Sequence, residues 1–144
     1  MIRRLTDNDI DEYIYLAHEV SNNLNNRDFL IPCSDEDLKK ILENSNSKVY
    51  GYYYNNKLVA SAQLNNGTSN MEMGGFLTLP EYRGKGFMKK LCNYILENNK
   101  YSKIIITVHP DNIPSKKVIK SLNANYICNK KINNYEREVY EIIK

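Results

Sequence analysis

At 144 residues, 42% apolar and 26% charged, the chain has the size and composition of one packed domain that needs no metal or disulfide staple. A net charge of +3, with Lys and Arg interleaved among Asp and Glu, lacks the basic stripe of a nucleic-acid binder. No apolar run approaches the roughly 18 residues of a membrane span, no signal core follows Met1, and Cys33, Cys92 and Cys128 lack ligand spacing, so a reduced, metal-free cytoplasmic protein is expected.

Ile2 to Leu5 reads as a strand, and Thr6 as the N-cap of a helix with the stripe Ile10, Tyr13, Ile14, Ala17 and Val20. The asparagine run Asn22 to Asn26 ends it. After a loop containing Pro32, Ser34 caps a second helix through Leu38, Ile41 and Leu42. From Val49 the period changes to two. Val49 to Tyr54, Leu58 to Leu64 and Met71 to Leu79 form a meander, with turns at Asn55-Asn56 and Asn65-Asn66-Gly67. A helix from Lys85 to Asn98 carries Met88, Leu91, Cys92 and Ile95 on one face. The strand Lys103 to His109 holds Ile104-Ile105-Ile106, the unbroken apolar run of a strand covered on both faces. A helix from Pro114 to Leu122 and strands Tyr126 to Ile132 and Tyr135 to Ile143 complete the order, and the last two strands leave an edge through which a homodimer could form.

The junction Pro80-Glu81-Tyr82-Arg83-Gly84-Lys85-Gly86-Phe87-Met88 carries the most functional information. It joins an apolar strand to a helix through two closely spaced glycines, the pattern of a phosphate cradle. Glycine lets the backbone approach an anion, and the free N–H groups of the first helical turn point at it. A tight strand-to-helix turn is the plain alternative. Asn112-Ile113-Pro114-Ser115 opens a second helix after the next strand, and there Asn112 can serve as a simple cap. Lys85, Lys89 and Lys90 form either a solvated face or a basic rim. Neither His18 nor His109 belongs to a triad pattern.

The order β-α-α-β-β-β-α-β-α-β-β, with Arg83-Gly84-Lys85-Gly86 after the fourth strand and Asn112 opening the last helix, resembles the GNAT superfamily of acyl-CoA-dependent N-acyltransferases. Arg83 and Gly86 match the family's pyrophosphate pattern, Arg or Gln-x-x-Gly-x-Gly or Ala, and Met88 departs at its last position. Met88 shares a helical face with Leu91, Cys92 and Ile95, so its side chain is expected on the sheet, away from the anion. The resemblance implies an α/β fold with a mixed, mostly antiparallel sheet flanked by helices, and acetyl-CoA as acyl donor. It assigns the pantetheine arm to Phe76, Leu77 and Thr78 and the pyrophosphate to the backbone of Gly84, Lys85, Gly86, Phe87, Met88 and Lys89. It also assigns a cofactor contact to Asn112.

In this family the amine attacks the thioester directly. The implied oxyanion donor is a backbone N–H near Leu77 or Thr78, freed by a bulge in the strand. Glu72 stands where relatives often carry a carboxylate base. A lysine-like acceptor of pKa ~10.4 needs such a base more than an α-amino group of pKa ~8 does. Ile119 holds the place of the usual tyrosine acid, seven residues after Asn112, and Tyr126 is the nearest substitute along the sequence. Tyr13, Phe29 and Tyr52 are candidate walls for the acceptor. The implied activity is acetyl transfer to a primary amine of a small molecule or peptide. Ile119 and Met88 keep a second reading open, a CoA-binding module without catalysis that acts as a sensor or partner-binding subunit. A nucleotide-binding loop is a weaker third, because the Gly-x-x-x-x-Gly-Lys-Ser/Thr spacing is absent.

Overall fold

The computed structural model describes residues 1–24, 26, 29–30, 33–66 and 70–144. Asn25 of the asparagine run, Pro32 of the expected loop and Gly67 of the second meander turn lie outside the described residues. Strand β1 (Ile2–Arg4) leads through a single 3-10 turn at Asp7–Asp9 into helix α1 (Ile10–Asn22). Thr6 caps that turn and not α1 itself: its hydroxyl accepts the Asn8 N–H at 3.3 Å, while the Asp9 carboxylate accepts the Thr6 N–H at 2.8 Å. Leu16 joins Tyr13 and Val20 on the buried face of α1, whereas Ile14 and Ala17 sit at its margin. Helix α2 (Asp35–Glu43) starts at a capping box in which Ser34 Oγ accepts the Asp37 N–H at 3.1 Å.

Strands β2 (Ser47–Tyr54), β3 (Lys57–Asn66) and β4 (Met71–Thr78) form the meander. Helix α3 (Phe87–Glu97), β5 (Lys103–Val108), α4 (Ile113–Ser121), β6 (Asn125–Ile132) and β7 (Tyr135–Ile143) follow. The sheet runs β1-β2-β3-β4-β5-β7-β6 and is antiparallel except between β4 and β5, which α3 connects. Asn55 and Asn56 turn β2 into β3, and Asn133 and Asn134 turn β6 into β7, all four with φ between 50° and 68°. Asn123, φ 61°, ends α4 in the same way. All the described non-glycine residues at positive φ are therefore asparagines, whose short side chains tolerate that region.

The sheet separates two cores. On one face Ala60, Ala62, Leu64 and Met73 meet Leu91, Cys92 and Ile95 of α3, and Ile119 of α4. On the other, Val59 and Leu77 meet Leu16 and Val20 of α1, and Leu38 of α2. Ile104, Ile105 and Ile106 are all buried, as a strand covered on both faces requires. Helix α3 begins two residues later than the sequence spacing predicts, because Gly86 has φ 79° and cannot be helical.

Candidate active site

The site forms where β4 and β5 part. Their parallel pairing comprises Met71↔Ile104 and Glu72↔Ile105 only, so the rest of β4 is paired on its β3 side alone. A bulge lies in that free stretch: Ser61 pairs with Leu77 and Gln63 with Gly74, which leaves Gly75 and Phe76 opposite Ala62 alone. Gly75 has φ 60°, and a Cβ there would stand 2.7 Å from Gln63 Nε2, so both the backbone and the neighbour call for glycine. The extra residue switches the side-chain alternation. Met73 and Phe76 face the α3 side, whereas Leu77 faces the α1 side, as Glu72 does by alternation. The Leu79 N–H bonds to Val59 O at 2.9 Å, so by alternation Leu77 also points its amide at β3 and Thr78 points its amide into the gap.

Beyond β4, Pro80–Tyr82 makes a 3-10 turn, and Gly84 and Gly86 adopt φ 74° and 79°. A Cβ built on either glycine would meet nothing within 4 Å, so the loop presents open backbone. Arg83 N–H bonds to Pro80 O and Lys90 N–H to Gly86 O. Among the described residues, no protein acceptor takes the six amides from Gly84 to Lys89 between them. They lie at the positive end of an 11-residue helix, an arrangement that can receive an anion. Met88, 8% exposed, packs in the core beside Leu91 and leaves those amides clear, while Lys85, Lys89 and Lys90 are exposed around them. Phe87 is fixed by Tyr52, whose ring stacks on it at 4.4 Å, with Tyr54 and Tyr82 alongside.

Asn112 is the N-cap of α4: its side-chain oxygen accepts the Ser115 N–H at 3.4 Å, which leaves the amide nitrogen for other partners. His109 follows β5 at the mouth of the gap and is buried. Its Nδ1 accepts the Asp111 N–H at 3.1 Å, so in the neutral ring Nε2 carries the proton, and the ring rests on Phe29 at 5.2 Å. Glu72 is exposed and has no partner among the described residues. It precedes the bulge by three residues, about 10 Å along an extended strand, and is paired with Ile105 where β4 and β5 are still joined.

Two sequence expectations are corrected. Tyr126 lies on the edge strand β6, beyond β5 and β7, about 14 Å in strand spacings from β4. Its hydroxyl is donated to Asn129 at 2.7 Å, and its side chain is 56% exposed, so the fold does not bring it to the gap. Of the three aromatic residues expected to wall the acceptor site, Phe29 alone stands at the mouth of the gap, against His109. Tyr13 is core, 3% exposed, where burial lifts its phenol to about 12; Tyr52 belongs to Phe87, and Phe29 to His109. Sequence reasoning also passed over the polar half of β3: Ser61, Gln63 and Asn65 alternate with Ala60, Ala62 and Leu64. That alternation was readable, but a polar strand face is ordinarily a wet one. Only the fold shows α1 packed across it.

The chain matches the acetyltransferase (GNAT) family over residues 6–123. It belongs to that family, and its class is N-acetyltransferase. A search of curated proteins finds no match. Among solved structures, it is similar to an N-acetyltransferase from Staphylococcus aureus Mu50, at 21% identity and a TM-score of 0.82 over 99% of this chain and 96% of that one. It is similar also to a ribosomal-protein-alanine N-acetyltransferase from Brucella melitensis, at 16% identity and a TM-score of 0.82 over 100% and 99% of the two chains. A third similar structure is yncA from Salmonella typhimurium with its cofactor acetyl-CoA, at 13% identity and a TM-score of 0.80 over 99% and 92%. No described helix is long and apolar enough to cross a membrane.

Proposed function

We propose that this chain transfers an acetyl group from acetyl-CoA to a primary amine by direct attack in a ternary complex. The observation that carries the reading is the unpartnered run of amides from Gly84 to Lys89, which suits a diphosphate, at the end of a strand with one free edge. The acetyl-CoA named with yncA supports the same donor here. The donor supplies an activated thioester. The free edge at Phe76, Leu77 and Thr78 holds the pantetheine arm by strand-like hydrogen bonding, with Asn112 and Arg83 beside it. The Thr78 N–H, turned away from β3, is the donor to a developing oxyanion. Alignment of the two reactants contributes roughly 7 to 11 kcal/mol, so the chemistry does not need a strong acid or base.

Glu72 takes the proton from the amine through water. The departing thiol, with pKa ~8.5, leaves as thiolate without a tyrosine acid, which suits Ile119 at the family's tyrosine position and Tyr126 far from the gap. Three free thiols among the described residues support a reducing, cytoplasmic setting, and the exposed edge strand β6 supports a homodimer. No observation favours a binding module without catalysis. Isothermal titration with acetyl-CoA tests the donor: binding is expected for the wild type. For Gly86→Val, a side chain at φ 79° strains the loop by about 1–2 kcal/mol and weakens binding roughly tenfold. Absence of binding at millimolar acetyl-CoA refutes the reading. Thiol release on addition of amines tests the transfer.

A further inference from the structure

Native proteins leave few buried polar side-chain atoms without a hydrogen bond. Those found among the described residues are Ser61 Oγ, Gln63 Oε1 and Asn65 Oδ1, and they form one row. They alternate along β3 with Ala60, Ala62 and Leu64, which face α3, so the row faces the α1 side. Register carries it across to β4: Ser61 pairs with Leu77, Gln63 with Gly74, and Asn65 with Glu72. The Gln63 side chain lies over Gly75 of the bulge. Burial falls along the row, from Ser61 at 1% exposed, through the half-buried Gln63 and Asn65, to the exposed Glu72. One end therefore adjoins the bulge and the other opens to solvent beside a carboxylate.

The chemistry of the row is one-sided. Amide oxygens and carboxylates accept hydrogen bonds, and a serine hydroxyl can accept as well as donate. Their complement is a ligand that brings N–H groups and a positive charge. Side chains on one face of a strand recur about every 7 Å, so the ligand is an extended one with its donors in line. We propose that Ser61, Gln63 and Asn65 seat the acceptor, holding its reacting amine beside the Gly75 bulge, with its proton passing through water toward Glu72, and a second N–H-bearing group toward Asn65. This rests on the acetyl-transfer reading and adds the substrate class. Two sources share that chemistry, an aliphatic diamine and the amino end of a peptide.

Stability and affinity move in opposite directions if the row serves a ligand. Ser61→Ala and Gln63→Leu remove unpartnered buried atoms, so Tm holds or rises. KM is then measured for 1,4-diaminobutane, for alanylalaninamide and for acetyl-CoA. The expected result is a rise of about tenfold in KM for at least one acceptor, with KM for acetyl-CoA within about twofold of wild type. The acceptor that responds identifies the source. A fall in Tm with unchanged acceptor KM makes the row structural and overturns the proposal. A matching rise in KM for acetyl-CoA overturns it too, because the row then belongs to the donor. If neither amine is acetylated, the side-chain amide signals of Gln63 and Asn65 are followed by NMR while both probes are titrated in. Shifts in those signals support the seat, and unmoved signals overturn it. Failure of acetyl-CoA to bind would sink the acetyl-transfer reading separately and leave that titration to decide.

Discussion

Two polar clusters lie on the α1 side of the sheet, one closed and one open. In the closed cluster Asp9 Oδ1 accepts from Arg3 Nη2 at 2.7 Å, and Oδ2 accepts from Arg3 Nη1 at 3.0 Å and from the Thr6 N–H at 2.8 Å. Arg3 Nη2 donates also to the Tyr53 hydroxyl at 2.8 Å. Every oxygen of a carboxylate that is 7% exposed is thus used, and β1, the start of α1 and β2 are tied together. In the open cluster, the row on β3, three oxygens are sheltered and none has a partner. Burial is similar in the two, so burial does not separate them; completion of the hydrogen bonds does. A completed network supports the fold, and an incomplete one is where a ligand can add what the chain withholds.

The largest expected effect lies in the closed cluster. Asp9→Ala leaves the Arg3 guanidinium and the Thr6 amide without their acceptor, at a cost of about 2–3 kcal/mol, less than for a fully buried pair because the Arg3 side chain is 40% exposed. Tm should fall by roughly 6–10 °C. A loss below about 0.5 kcal/mol would mean that the completed network contributes nothing, and the contrast would fail. Acid sharpens the same point. The hydrogen bond from Arg3 holds the Asp9 carboxyl below its ordinary value, against the opposing effect of burial. Its contribution is therefore full above the unfolded pKa of ~3.9 and is lost as pH falls through the lower folded value. Urea unfolding of the wild type should weaken as pH falls below about 5, and Asp9→Asn should flatten that part of the curve.

Much of this was legible in the chain and some was not, for reasons that differ by residue. The strands, the Asn55-Asn56 turn and the glycine loop follow from period-two alternation, an Asn-Asn pair and the two glycines, all local signals, whereas Asn65 and Asn66, expected in the second meander turn, extend β3 and pair with Glu72 and Met71. The start of α3 was misplaced because Lys85 is a good helix former, and its neighbour Gly86 overrides it through φ 79°. Leu16 lies three residues after Tyr13 and four before Val20, so its burial at 0% exposure follows from the same helical spacing, whereas Ile14 and Ala17, taken for the stripe in its place, sit at the margin. Tyr126 was the nearest tyrosine to α4 along the sequence, yet β7 inserts between β5 and β6 and carries it to the edge. The β3 row was visible as alternation, but its shelter depends on α1, more than 35 residues earlier in the chain. Local chemistry is read from sequence; who covers whom is not.

The second effect concerns the glycine pair at the bulge, which borders the open cluster. Gly75→Ala places a Cβ at φ 60° and within 2.7–3.0 Å of the Gln63 side chain. The backbone term is about 1–2 kcal/mol, and Gln63 must also swing aside. Gly74→Ala meets nothing within 4 Å and has no positive φ, so it should be neutral or slightly stabilising. Thermal melts of the two variants should therefore differ by roughly 4–8 °C. Equal Tm values would show that the bulge relaxes freely and does not fix Gln63 in place.

The smallest effect comes from a polar group that is satisfied but exposed. Tyr126 donates to Asn129 at 2.7 Å on the edge strand, so Tyr126→Phe removes a bond worth about 0.5 kcal/mol in water, and Tm moves by no more than about 2 °C. Its effect on turnover decides more. A proton donor to the leaving thiolate contributes about 10²- to 10⁴-fold, whereas a hydroxyl some 14 Å in strand spacings from β4 contributes nothing to that step. The expected kcat is within about twofold of wild type, with no change in the alkaline limb of the pH–rate profile. A drop of about a hundredfold would require β6 to fold over the gap, and would overturn the view that a tyrosine already partnered at the sheet edge is outside the chemistry.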